Sequence, residues 1–322
     1  MDTQNENIAV SVICATYNQE NYVRDMLDGL VSQKTNFRFE IVVHDDASPD
    51  GTADIIREYA EKYPDLIRPI LRTENQYQKN KQFFWGVCRE YGRGKYFAFC
   101  EGDDYWTDPL KLQKQYDFME SHPDYSLCCC SSQWLDQLSG KIGSQGVVDH
   151  DKDISLEEMI LEKNGRIFLF VSDFVRKECV DTLPDWGFPI GDYPFAVHAA
   201  MNGKIHMLAD SMCTYRYHAA GSWTQRMQGD EQRRRTNEQM IKGLENMNRT
   251  TGGKYEKLIN QRILRHRYTD ALLSHDFQAI RKDPQLYERY RSRGLIYRIS
   301  DRLHCASPKL FYTVNKLLKR SE

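Results

Sequence analysis

The sequence predicts an α/β fold: a mostly parallel sheet flanked by helices, followed by a helical appendage. Three observations predict it. Short apolar runs alternate with helix-periodic segments over roughly the first 130 residues, as in successive βαβ units. Three polar clusters follow such runs directly, where open α/β sheets hold their ligands. Beyond Gln228 the apolar runs stop and the chain becomes polar, basic and helix-prone. The expected organisation is one catalytic-size domain over residues 1–228 and a basic helical region over 229–322.

The first strand is read at Ile8 to Ala15, an apolar run suited to burial on both faces. Val23, Met26, Leu27, Leu30 and Val31 then share one helical face, with Asn21 as the N-cap. Phe39 to His44 is the second strand. The turn-rich Asp45 to Thr52 leads from it into a helix carrying Ile55, Ile56, Tyr59 and Tyr63. Ile67 to Leu71 is the third strand, and polar residues lead to a helix over Gln82 to Tyr91. Tyr96 to Cys100 is the fourth, ending at Glu101-Gly102-Asp103-Asp104; a helix over Leu110 to Glu120 and a strand over Tyr125 to Ser131 follow. Further on, Ser155 and Glu158 have capping-box spacing, Ile167 to Phe174 reads as a strand, and Asp192 opens a helix ending near Gly203. Ile205 to Arg216 adds strand, and the tail is broken near Gly252-Gly253, Pro284 and Pro308.

With 28% charged residues and a net charge of -2, no global field selects nucleic acid or membrane as partner. The charge is unevenly distributed. From Gly229 on, bases outnumber acids roughly two to one, while upstream the acids exceed the bases by about 12. Nine cysteines, three of them consecutive at Cys128, Cys129 and Cys130, show no zinc spacing. Consecutive strand cysteines point to opposite faces, so reduced thiols in a cytoplasmic compartment are expected. No segment approaches ~18 continuous apolar residues and no basic leader with an apolar core begins the chain, so neither export nor membrane spanning is expected.

Glu101, Asp103 and Asp104 place hard oxygen donors at a sheet edge, where magnesium or manganese binds together with substrate phosphates. A cation would let an otherwise acidic body hold a diphosphate. A solvated turn ahead of Pro109 is the plainer alternative.

Four segments carry a family resemblance: VSVICATYNQENYV, EIVVHDDASPDGT, KYFAFCEGDDYWTDPLKLQKQ and GDYPFAVHAAMNGKIHMLADSMCTYRYH. In order and spacing they resemble the motifs of family 2 glycosyltransferases with the GT-A fold, nearest to bacterial enzymes of surface-polysaccharide assembly. The resemblance covers about Ile8 to Trp223 and leaves the tail outside. It implies an inverting transfer from a nucleotide-sugar donor, most often a UDP-sugar, to a hydroxyl of a glycan or lipid-linked acceptor. It implies a nucleotide pocket from Thr16, Tyr17, Asn18 and Glu20, with Tyr17 stacked on the base and Asp46, or Asp45, accepting a hydrogen bond from it. Glu101 and Gly102 would face the ribose or the metal's water. Asp103 matches the metal ligand of the family's DxD motif, and Asp104 is a close alternative in the acidic run. Mn2+ or Mg2+ is the implied cofactor.

Attack by a neutral hydroxyl needs a base, and Asp192 in Gly191-Asp192-Tyr193-Pro194 matches the family's general base. Many relatives have an acid just before it, where this chain has Gly191. Capping of the following helix is the structural alternative for Asp192. His218 matches a C-terminal histidine that completes the metal site in many such enzymes. Lys79 and Lys81 are diphosphate partners by position, and Trp223 is an acceptor platform or a core residue. Two other classes fit less well. A nucleotidyltransferase needs a Gly-rich basic phosphate loop, which Ala15 to Glu20 is not, and a nucleotide-sugar sensor would not need the intact acids and Asp192. In the tail, Arg289, Arg291, Arg293, Arg298, Arg302, Lys309, Lys316, Lys319 and Arg320 are interspersed with apolar residues. That pattern suits an anionic bilayer surface, bringing the site to a lipid-linked acceptor; solvated faces or a homo-oligomer contact explain it equally.

Overall fold

The computed structural model describes residues 8–80, 83–163, 165–220, 222 and 229–312; Lys81, Trp223, Lys316, Lys319 and Arg320 lie outside them. The chain divides into two compact units, Met1–Asp185 with Ile190–Arg226, and Trp186–Pro189 with Met227–Glu322.

The first unit is built on a sheet of ten strands. Strands β1 (Val10–Thr16), β2 (Phe39–Asp45), β3 (Ile67–Leu71) and β4 (Tyr96–Phe99) run parallel in the order β3-β2-β1-β4. Val10, Val12, Ile13 and Cys14 are fully buried, as expected for a strand covered on both faces. Helices α1 (Val23–Val31), α2 (Thr52–Lys62) and α3 (Phe83–Tyr91) make the crossovers. α1 turns Val23, Met26, Leu27 and Leu30 into the core. It opens one residue later than Asn21 would allow as cap: Tyr22 holds the N-cap position and no side chain caps the helix.

After β5 (Tyr105–Trp106) and α4 (Lys111–Ser121), β6 (Tyr125–Asp136) extends well past Ser131 through a polar half that carried no strand signal. β7 (Ile142–Gln145) pairs with β6, β8 (Lys152–Ile154) pairs with the later β10, and α5 (Leu156–Leu161) carries the expected Ser155/Glu158 capping box. The strand expected at Ile167 to Phe174 is a 3-10 turn over Phe170–Ser172, in which both the backbone N–H and Oγ of Ser172 donate to the Leu169 carbonyl. Only Phe174–Arg176 forms strand, β9, inserted antiparallel between β4 and β6. α6 (Lys177–Asp181), α7 (Asp192–Asn202) and β10 (Lys204–Tyr217) complete the unit. β10 runs parallel to β6 and antiparallel to β5, so Tyr105 and Trp106 hold the acidic segment against its last third. All nine cysteines are free, and eight of them, including Cys128, Cys129 and Cys130, are buried among apolar side chains.

The second unit is helical: α8 (Asp230–Thr250), α9 (Glu256–Leu273), α10 (Phe277–Lys282), α11 (Pro284–Ser292) and α12 (Leu295–Ala306). Asn237 on α8 donates to the His266 carbonyl on α9 and also contacts its ring. Tyr268, Ala271, Ile280, Leu286 and Tyr290 form a small core of their own. Pro284 starts a helix instead of ending one. Its missing N–H is harmless at the first helical position, and the Asp283 side chain accepts from Gln285 and Leu286 N–H.

Candidate active site

Every loop at the carboxyl edge of β1, β2 and β3 is tied to its neighbour by carboxylates. The Asp45 side chain accepts from the Thr16 hydroxyl at 3.0 Å and from the Ser48 N–H at 3.0 Å. Asp46 accepts the backbone N–H of Gln76 on Oδ1 (2.7 Å) and of Tyr77 on Oδ2 (3.0 Å), which fastens the loop after β3. The Asn18 N–H donates to Ser48 Oγ and the Gly51 N–H to Glu20 Oε2. Asn18 has φ 57°, a left-handed conformation that Asn tolerates better than most residues. Thr16, Asn18 and Glu20 therefore tie the loops after β1 and β2 together, while the Tyr17 side chain is 45% exposed. Lys79 is exposed and paired with Glu74.

The acidic run follows β4 and lies directly beside the loop after β1. Gly102 donates its N–H to the Ala15 carbonyl, and a Cβ there would lie 2.2 Å from Gln19 Oε1 and 2.7 Å from Thr16 Cγ2. Only glycine lets the two loops approach this closely. Asp104 is buried; its Oδ1 accepts the Arg216 N–H at 2.9 Å, and its Oδ2 is buried with no hydrogen-bond partner. An orphaned carboxylate oxygen is costly unless a proton or a cation reaches it. Asp103 is less enclosed. Its carbonyl takes a 2.8 Å hydrogen bond from Arg216, whose guanidinium also pairs with Asp25 and lies over the Tyr105 ring at 4.4 Å. No local pattern marks Arg216, set between Tyr215 and Tyr217, for this role.

Glu101 reaches the surface, yet the protein atoms packed around its carboxyl strip part of its hydration and, with the charges of Asp103 and Asp192, push it up to about 8. Burial raises Asp103 as well, and burial with its two acidic neighbours holds Asp104 far above the ordinary carboxylate range. A carboxyl raised on folding stabilises the fold fully below its unfolded value of 4.5, and that contribution is lost as pH rises through about 8. The metal-free protein is expected to lose melting temperature across this window, and manganese, if the ionised acids hold it, to restore more at pH 8 than at pH 5. Melting curves in chelator and in manganese at the two pH values check this. Equal manganese shifts would mean that the acids do not take the cation.

Asp192 is the first residue of α7, with Gly191 at the N-cap, so it does not cap the helix as an N-cap side chain would. Its Oδ1 accepts the Tyr193 N–H at 2.8 Å, and its Oδ2 pairs with the Arg166 guanidinium. Arg166 is a second partner that sequence reading missed, because it comes from an irregular segment with no motif. Asp192 and Arg166 both act on Glu101 electrostatically, and all three acids of the run with Arg166 act on Tyr215, so these residues share one field. His218 is placed differently. It sits just past β10 at φ 59°, with Nδ1 3.2 Å from Asp136 Oδ1. Among the described residues it does not converge with the acids as a three-ligand cluster.

Residues 11–141 match the family model described as Glycosyl transferase family 2. This stretch belongs to glycosyl transferase family 2. An uncharacterized protein of Mycobacterium tuberculosis, Rv1520, is 37% identical over 222 residues, which cover 66% of this chain and 60% of that protein. The chain thus spans less than two thirds of that relative's length. Among solved structures, Staphylococcus aureus TarS 1-349 in complex with UDP-GlcNAc matches with TM-score 0.56 at 17% identity, covering 92% of this chain and 79% of that one. The mannosyltransferase PcManGT from Pyrobaculum calidifontis, in complex with GDP-Man and Mn2+, matches with TM-score 0.57 at 16% identity, covering 95% and 88%. These likenesses show that the family 2 domain has the GT-A fold. The carboxylate-tied loops after β1 and β2 and the acidic run after β4 all lie inside the family 2 match; Arg166, Asp192 and Arg216 lie beyond it.

Proposed function

We propose that the chain transfers a sugar, with inversion, from a nucleotide-diphosphate donor to a hydroxyl of a glycan or lipid-linked acceptor in polysaccharide assembly. The observation that carries this reading is the buried Asp104 Oδ2, left without a hydrogen-bond partner in the acidic run that follows β4 inside the family 2 match. One end of the site is suited to a leaving diphosphate and the other to an incoming hydroxyl.

Asp192 serves as the general base. Each carboxylate oxygen has two lone pairs, so Oδ2 can accept the acceptor's hydroxyl proton while Arg166 keeps the side chain aimed. Tyr17 stacks on the base, uracil in the commonest case, and Asp46 or Asp45 accepts from it. Thr16, Asn18 and Glu20 order the pocket, Glu101 and Gly102 line the ribose side, and Lys79 turns from Glu74 to the diphosphate. The donor set fits a divalent cation, manganese or magnesium, because the run offers hard oxygens and leaves Asp104 Oδ2 without a partner. Asp103, less buried than Asp104, would hold the ion, with Asp104 positioned beside it by Arg216; His218, turned to Asp136, would have to leave that partner to serve as a further ligand. Bound there, the cation supplies charge neutralisation for the departing nucleoside diphosphate.

The test is a panel of nucleotide-sugars assayed for thermal shift and for product release with manganese present. A true donor at 100 times its Kd raises apparent stability by about 2.7 kcal/mol, and turnover releases a nucleoside diphosphate. Release of pyrophosphate would indicate a nucleotidyltransferase instead, and binding without release a sensor.

The second unit fits a peripheral contact with an anionic bilayer. No helix among the described residues is long and apolar enough to cross a membrane. Yet α12 leaves Leu295, Ile296, Tyr297 and Ile299 exposed, between 58% and 81%. Arg289, Arg293 and Arg302 are engaged over the Tyr268, Tyr290, Tyr297 and Phe277 rings, so the apolar ridge carries the contact more than the charge count does. Replacing Ile296 and Ile299 by Asp is expected to reduce co-sedimentation with anionic vesicles without changing donor binding. Unchanged sedimentation would assign the ridge to another contact, such as an oligomer interface.

A further inference from the structure

The second unit gathers a polar cluster that sugar transfer does not use. Asp230 opens α8, His275 stands in the turn between α9 and α10, His304 lies buried on α12, and Tyr312 follows it. Asp230 Oδ2 is 3.4 Å from His275 Nε2 and 3.8 Å from His304 Nε2. Both separations exceed the roughly 2.7–3.2 Å of an ordinary N–H···O hydrogen bond, leaving more room between the groups than such a bond needs. Ligand atoms held about 2.0–2.1 Å from a tetrahedral zinc ion stand roughly 3.3–3.5 Å apart, close to these separations. All three candidate ligand atoms lie within 4.8 Å of one another.

The two oxygens of Asp230 face different groups. Oδ1 accepts from the Tyr312 hydroxyl and lies 4.0 Å from Arg233 Nη1, leaving Oδ2 as the lobe turned to both imidazoles. Tyr312 Oη is also 3.2 Å from His304 Nε2, so it borders the position a fourth ligand would take.

We propose that Asp230, His275 and His304 form a zinc site, with Tyr312 or a water completing a tetrahedron. Two imidazoles and one carboxylate suit zinc, whereas the all-oxygen run Glu101 to Asp104 suits magnesium or manganese. The ion clamps the start of α8, the α9–α10 turn and α12, segments far apart in sequence, and its role is structural. A simple set of ion pairs is the competing account. It predicts no metal affinity.

The full-length chain, stripped with chelator and incubated with zinc, is passed through a desalting column and its metal content measured. About one zinc per chain is expected, along with a raised melting temperature. Asp103→Ala should retain that zinc, while His275→Gln and His304→Gln should each lose it. Cobalt loaded into the unmodified chain should give the intense visible absorption of a tetrahedral site, a readout that does not depend on any variant folding. No zinc retention by the unmodified chain, retention by both histidine variants, or a cobalt spectrum of octahedral type would overturn the proposal. Because Asp103 is untouched by these outcomes, failure here leaves the sugar-transfer reading standing.

Discussion

Asp192→Asn is expected to lower kcat by about 100- to 10,000-fold while donor affinity in manganese stays within a factor of about two. The amide keeps the shape and a carbonyl oxygen for the Tyr193 N–H, but it cannot take a proton from the acceptor hydroxyl. The split between kcat and donor binding separates a base from a residue that merely starts α7. A helix-start defect would lower stability and donor binding together. Full turnover by this variant would sink the assignment, and with it the account of how the acceptor is activated. Arg166 bears on the reading of any intermediate result, since Asn loses the ion pair as well as the basicity.

Asp103→Ala is the second large effect. Removing the less buried of the two aspartates should abolish the manganese dependence of donor binding and weaken donor affinity by roughly 100-fold, on the order of 3 kcal/mol. Calorimetric titration of a nucleoside diphosphate with and without manganese measures it. Asp104→Ala should behave differently. Asp104 accepts the Arg216 N–H from within the core, so its loss frees β10 next to the site and should reduce stability as well as binding. Equal and purely metal-linked losses in both variants would mean that the two acids share the ion.

Much of the first unit was legible because its central strands are buried on both faces, and that physical demand writes short, mostly apolar runs at Val10–Thr16, Phe39–Asp45 and Tyr96–Phe99. The capping box of α5 is local chemistry and was read just as directly. The missed strands have the opposite character. β5, β7 and β8 are two to four residues long, partly polar, and exist only because β6 and β10 offer them an edge. β9 was misplaced because its position between β4 and β6 is a tertiary fact, and the Ser172 turn that precedes it competes with extended backbone over the same apolar residues.

The candidate site divides along the same line. Its acids stand at strand ends or, for Asp192, at the start of α7, and could be named from the sequence, whereas the cations that organise them come from remote segments. Arg216 reaches Asp103 and Asp25 from β10, and Arg166 reaches Asp192 from an irregular stretch; neither has a local pattern. Whether Asp46 serves a base or a loop could not be read from its neighbours in sequence either. Its oxygens accept from Gln76 and Tyr77, some thirty residues on.

The most direct test of the central claim is anomalous diffraction at the manganese edge from crystals grown with manganese and the nucleoside diphosphate of the identified donor. The account predicts a manganese peak against Asp103, bridging to the diphosphate, with the base lying beside Tyr17. A diphosphate bound elsewhere, or a manganese peak with no contact to Glu101, Asp103 or Asp104, would contradict it.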